Sequence, residues 1–276
     1  MNTLLNGLKT NRAFAATSFL VLLLIALALA APLIAPYDPL AATMQNAYLP
    51  PSAEHLFGTD KLGRDNFSRI LYGAAYSLSS VLILVTIIFT VGTTLGVVAG
   101  YYGGKVDIVI MRIADMMISF PGMILAIAIA GILGGSLVNA IIALTIVTWT
   151  KYARLARSMV LKIKKRDYVE AAVVNGGTSL HILWQHILPN ILPLMVITAA
   201  ADIGAMMMEL AGLSFLGFGS QPPAPEWGLM LNEGRQQLQT APWLMIFPGL
   251  AIFITVVIFN LWGDALRDVL DPRQEE

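Results

Sequence analysis

Asp202, Met206 and Glu209 stand at i, i+4 and i+7 in an otherwise uncharged stretch. On a helix that spacing puts two carboxylates and a thioether on one face. A charged side chain at the centre of a bilayer costs at least ~2.5 kcal/mol on insertion scales, so such a face points at a partner or a pathway and not at lipid. Its chemistry suits a cation, whether a lysine or arginine of a neighbouring subunit or a cationic substrate, with Met207 and Met208 as adaptable wall.

A second string reads Arg166-Asp167-Tyr168-Val169-Glu170-Ala171-Ala172-Val173-Val174-Asn175-Gly176-Gly177 and leads on to His186-Ile187-Leu188-Pro189-Asn190. It predicts a short helix stopped at Gly176 or Gly177, followed by a proline in the first turn of a longer helix. Ala171 and Ala172 keep the short helix thin enough to approach another surface, and Glu170 places a charge at its edge. Those features suit a docking plug.

Other chemistries find no residues. There is no cysteine, which removes disulfides, thiolate metal sites and thiol nucleophiles. No His-x-x-x-His pair or serine-centred nucleophile string occurs, which argues against a membrane-embedded enzyme. No phosphate loop is present either, because Gly103-Gly104-Lys105-Val106 lacks both the spacing and the hydroxyl. His55, His181 and His186 are not spaced as a metal pair in a span and read as interfacial or capping residues.

The elements that carry these residues follow from composition. The chain of 276 residues is 57% hydrophobic and 12% charged, with a mean hydropathy of +0.73, so lipid is the solvent for most of it. Formal net charge is zero, and nothing suggests nucleic acid or a solvating tail. Lys9 and Arg12 ahead of an apolar run outline a signal peptide. The charge-free stretch over residues 13–37, however, exceeds the usual ~7 to 15 residue signal core and suits a spanning helix.

Further uncharged runs predict spans over about residues 70–104, 108–133, 137–158, 189–212 and 236–263, with the third and fourth separated at Gly131, Gly134, Gly135 and Ser136. Six spans put both termini on one side. Thirteen of the 17 basic residues fall on that side, including Lys151, Arg154, Arg157, Lys162, Lys164, Lys165 and Arg166. Lys61, Arg64, Arg69 and Arg235 fall opposite, so both termini are expected in the cytoplasm. The long outer connections are then residues 38 to about 76 and 213–243, both rich in proline.

Glu170-Ala171-Ala172, then Gly176, then Leu188-Pro189 after a fixed gap resembles the EAA loop of ATP-binding-cassette importer permeases. The resemblance extends over about residues 35–273. Its strings include Phe57-Gly58-Thr59-Asp60-Lys61-Leu62-Gly63-Arg64-Asp65, Tyr101-Tyr102-Gly103-Gly104, Phe120-Pro121, Leu213-Ser214-Phe215-Leu216-Gly217, Glu226-Trp227-Gly228 and Asn260-Leu261-Trp262-Gly263-Asp264. All are similar to the C-type permease of dipeptide, oligopeptide and nickel importers. One departure is Gly73-Ala74-Ala75-Tyr76-Ser77-Leu78, where similar permeases often carry an Arg at the position of Ala75.

The resemblance implies an all-α integral membrane protein with six transmembrane helices in the type I, MetI-like importer fold. It divides the chain into a first helix and outer loop (1–76), a transmembrane core with the coupling helix near 166–178 (77–265), and a cytoplasmic tail (266–276). It implies partners: a second, B-type permease, two cytoplasmic ATPases that bind the ATP and magnesium, and an extracytoplasmic solute-binding protein. Glu170, Ala171, Ala172 and Gly176 would couple to the ATPase, and Asp202, Met206 and Glu209 would line the translocation pathway. This chain itself would hold no cofactor and no firm metal site. Asp202-Ile203-Gly204 followed by Met206-Met207 looks more like the nickel branch than the dipeptide branch, so nickel or a nickel chelate is the expected cargo and short peptides the alternative. An ion-coupled secondary transporter using Asp115, Asp202 and Glu209 as a relay is the competing class, and no inverted repeat supports it.

Overall fold

The computed structural model describes residues 11–270, which are helical apart from connecting loops. Lys9 and the ending from Asp271 through Arg273 lie outside the described residues. Helix α1 (Arg12–Ile34) opens on Asn11, whose side chain accepts the Phe14 N–H at 3.1 Å. Phe19, Leu22, Leu29 and Leu33 face outward from it, as a lipid-facing helix requires. Helix α2 (Asn66–Tyr102) opens on Asp65, which accepts the Ser68 N–H at 2.8 Å. The connection expected over residues 38 to about 76 therefore ends at Asp65, and the expected division at 76/77 falls inside a helix.

Residues 108–133 do not form one helix. They divide into α3 (Gly104–Ile118) and α4 (Gly122–Leu133), which meet at 94°. Pro121 is the cause: it lacks an N–H and disfavours helical backbone at Phe120. The next turn lies where the glycines predict it. Gly134 closes α4, and Ser136 opens α5 (Leu137–Ile163) by accepting the Asn139 N–H at 3.1 Å.

Helix α5 runs past residue 158, so Lys162 rides on the same helix as Lys151, Arg154 and Arg157. Arg154 pairs with Asp115 of α3 at 2.6 Å, and Arg157 with Asp107 of the same helix. Asp115 is therefore paired with a neighbour through one carboxylate oxygen.

Helix α6 (Asp167–Val174) is followed by α7 (Ser179–Ile182), a π-helical turn (Leu183–Ile187) and α8 (Leu188–Phe215). The long helix thus begins at Ser179 and not near Pro189. The widened turn accommodates the missing donor and the ring of Pro189 without breaking the path. Helix α9 (Trp227–Gly234) lies in the connection that follows α8, and α10 (Trp243–Leu270) is the last helix among the described residues.

Among the described residues, four helical stretches are long and apolar enough to cross a bilayer: Arg12–Ile34, Asn66–Tyr102, Ser179–Phe215 and Trp243–Leu270. The bent α3–α4 pair makes a fifth if counted as one span.

The centre of the bundle is the α2–α5 contact, closed by a stripe of small residues. A Cβ on Gly92 would lie 2.5 Å from the Trp149 carbonyl oxygen, on Gly96 2.2 Å from that of Ala153, and on Gly100 2.8 Å from Val160 Cβ. Spaced four apart, the three glycines let backbones approach where lipid gives no hydrophobic drive to association.

An ion cluster ties the connection that precedes α2 to helix α9. Arg64 donates to Asp60 at 2.6 Å through Nε, and Arg69 donates to Asp60 at 2.5 Å and to Glu233 at 2.9 Å. Arg64 and Arg69 are 2% and 1% exposed, so these charges stay buried only because each faces an opposite one. Beside the cluster, His55 bonds Asp65 at 3.0 Å through Nδ1. Ser77, in the string that lacks the Arg, accepts the Trp227 N–H at 3.2 Å and helps to seat α9.

Candidate functional site

The α8 stripe lies along a groove of about 450 Å³ between α5, α8 and the α3–α4 corner. Asp202, Met206 and Glu209 line it together, as their spacing predicts, opposite Ile118, Phe120 and Lys151. The wall of methionines is narrower than expected. Met207 points into the core at 2% exposed, and Met208 lines a separate apolar groove with Phe215, Met245 and Phe253.

Asp202 is not free to meet a cation. Lys151 Nζ donates to its Oδ1 at 2.6 Å and its Oδ2 at 2.8 Å, and the Tyr152 hydroxyl donates to Oδ2 at 3.0 Å. Both donors come from α5 of the same chain, about fifty residues away in sequence. Glu209 has neither an ion pair nor a hydrogen bond among the described residues. Sequence periodicity along α8 finds the stripe and cannot find the lysine that neutralises half of it. Among the described residues, no group of three or more histidine or acidic side chains is placed to hold a metal ion.

At the other end of the same connection, α6 stands on a single buried anchor. Val169 is 1% exposed and packs into the bundle core. Asp167 and Glu170 occupy the first turn, where the unpaired N–H groups favour negative charge. Gly176 ends the helix at φ +81°, a left-handed conformation in which any side chain is strained, and its N–H donates to the Val173 carbonyl at 3.0 Å. Gly177 donates to Ala172 at 3.0 Å.

Glu170 and Ala171 are exposed and Ala172 is half-buried. Tyr168, Val173, Val174, Leu180 and Trp184 are exposed around them, an apolar surface on a segment that carries Lys164, Lys165 and Arg166 beside it. Ala171, Ala172, Asn175 and Gly177 border a groove of about 430 Å³ with Tyr168, His181 and His186. The two histidine rings lie 5.9 Å apart there, which the sequence did not indicate.

Comparison with known proteins gives concordant matches at both ends of the chain. Residues 92–276 match the family described as the binding-protein-dependent transport system inner membrane component, and residues 5–51 match the N-terminal transmembrane domain of oligopeptide transport permease C. The chain is 44% identical to the dipeptide transport system permease protein DppC of Alkalihalophilus pseudofirmus, over 97% of this chain and 88% of that protein. It is 44% identical to the nickel transport system permease protein NikC of Escherichia coli, over 86% of each. The glutathione transport system permease protein GsiD of Pectobacterium atrosepticum is 45% identical, over 94% of this chain and 86% of that one.

Among solved structures, an inward-facing MetNI methionine ABC transporter matches with a TM-score of 0.59 at 21% identity, covering 74% of this chain and 97% of the other. That likeness establishes the fold, and the sequence matches establish the membership. The chain belongs to the inner-membrane components of binding-protein-dependent transport systems, as a multi-pass permease of the peptide/nickel class of ABC importers.

Proposed function

We propose that this chain is the C-type half of an importer's membrane pore, paired with a B-type permease and driven by two cytoplasmic ATPases that bind ATP and magnesium. A solute-binding protein delivers cargo to the outer connections. In this reading the bundle crosses the membrane six times, with the bent α3–α4 pair and the charge-bearing α5 supplying the third and fourth crossings. Both termini then lie in the cytoplasm, in keeping with the lysine and arginine distribution.

The observation that carries the reading is α6: a short helix anchored by one buried valine, ended by a glycine at positive φ, and exposing an apolar face beside basic residues. Glu170, Ala171, Ala172 and Gly176 form the surface that would seat in an ATPase groove. Closure of the ATPases on ATP would move α6, and rigid-body rocking of the spans would open the route.

The test is coupling. Gly176→Pro or Ala172→Trp in the assembled importer should leave basal ATP hydrolysis in place and abolish its stimulation by loaded binding protein, along with uptake. Normal stimulation and uptake in both variants would remove α6 from the coupling path.

For cargo, a nickel chelate and a short peptide are the two candidates. The unpaired carboxylate of Glu209 and the thioether of Met206 support the first. The ammonium of Lys151 on Asp202 favours cargo that brings its own carboxylates, whether as a peptide or as a chelating ligand around the metal.

A further inference from the structure

The Lys151–Asp202 pair is asymmetric. The lysine side chain is 60% exposed and the aspartate side chain 14%. Asp202 is held from its inner side by Tyr152, itself 3% exposed, whose ring lies edge-on to Phe89. If Lys151 swings away, the carboxylate keeps a hydrogen-bond donor. Lys151 sits on a flexible four-carbon stem at the rim of the groove, and an ammonium of that kind exchanges one carboxylate for another without a change in net charge.

Glu209 faces the same groove seven residues along α8, which at 1.5 Å rise per residue is about 10 Å from Asp202. It has no partner among the described residues. The groove thus presents a movable cation near one end and an unpaired anion near the other, in a volume of about 450 Å³ that suits a small molecule.

We infer that this groove is a two-ended site, in which Lys151 leaves Asp202 to take a carboxylate of the cargo while Glu209 takes its cationic group. Lys151 is then a specificity-determining residue: it admits cargo with a free carboxylate, and a bare divalent cation offers it no carboxylate to take. The inference rests on the reading that the groove faces the translocation route, and it names what that route selects.

Acetylation of Lys151 by an amine-reactive reagent tests it, read by mass spectrometry on the importer purified in lipid nanodiscs with its copurifying subunits, without nucleotide. The probes are alanyl-alanine, alanyl-alanine amide and nickel chloride. Alanyl-alanine at millimolar concentration should slow acetylation about fivefold, the amide and nickel chloride should not, and Glu209→Gln should raise the dipeptide concentration needed about tenfold. Equal protection by acid and amide, no protection by the acid, or faster acetylation with nickel chloride would each overturn the two-ended site. The readout needs no turnover, so a failure of ATPase coupling would leave it decidable, and loss of protection would leave the coupling role of α6 untouched.

Discussion

Arg64 donates through one terminal nitrogen to both carboxylate oxygens of Glu233, at 3.2 and 3.3 Å, across 169 residues of chain. Asp60 holds the other face of the same guanidinium, and Arg69 bridges the two acids a second time. The connections before α2 and after α8, which the sequence presents as separate proline-rich loops, are therefore one structural unit.

Glu233→Gln should damage that unit out of proportion to its size. It leaves Arg64 and Arg69 buried with a single acid between them, and breaking one side of a buried ion pair costs about 3–5 kcal/mol. The expected outcome is a lower melting temperature in detergent and faster proteolysis of residues 35–65. Unchanged protease resistance of that segment would show the cluster to be dispensable.

Gly96→Leu should prevent the α2–α5 contact from closing, because even a Cβ there would sit 2.2 Å from a backbone oxygen. Helix backbones must separate to admit it. Little folded protein should be recovered from membranes, whereas Leu at Gly103, where nothing lies within 4 Å of an added Cβ, carries only the strain of its φ of +65° and should be recovered in larger amount.

Glu226 gives stability a pH dependence. Burial raises its pKa, opposed by hydrogen bonds from the N–H groups of Gly228 and Leu229 and from the hydroxyls of Ser214 and Ser77. A carboxyl whose folded-state pKa is raised binds its proton more readily in the folded protein. Its contribution is therefore most favourable below the unfolded-state value near ~4.3 and declines as pH rises from there through the raised folded value. Melting temperature should fall over that window in the parent protein, and Glu226→Gln should flatten the fall. An identical slope in both proteins would discount burial of this carboxylate.

Periodicity within one element was readable and contact between distant elements was not. The i, i+4, i+7 stripe on α8 and the glycine stop of α6 are local patterns, and both stand where the sequence puts them. Lys151 reads as one more positive charge near a membrane exit, because nothing at residue 151 refers to residue 202. Pro121 carried the signal for the α3–α4 corner, yet the apolar run around it is long enough to suggest a single span. Gly92, Gly96 and Gly100 lay in plain view inside an uncharged run whose hydropathy alone was informative about lipid and silent about the neighbouring helix.

The 94° corner at Phe120 and Pro121 also bears on how the protein is made. Its arms of 15 and 12 residues rise about 22 and 18 Å, short of the ~30 Å hydrocarbon core, so neither arm can leave the insertion machinery as a finished crossing. Helix α4 packs against α5, and α5 follows it after a three-residue turn. A nascent chain halted at residue 133 should leave the segment from residue 104 to 133 accessible to protease from one side of the membrane, and one halted at residue 163 should protect it. Residues 104–163 should then behave as one unit of biogenesis, committed to the bilayer only when its last helix has been synthesised.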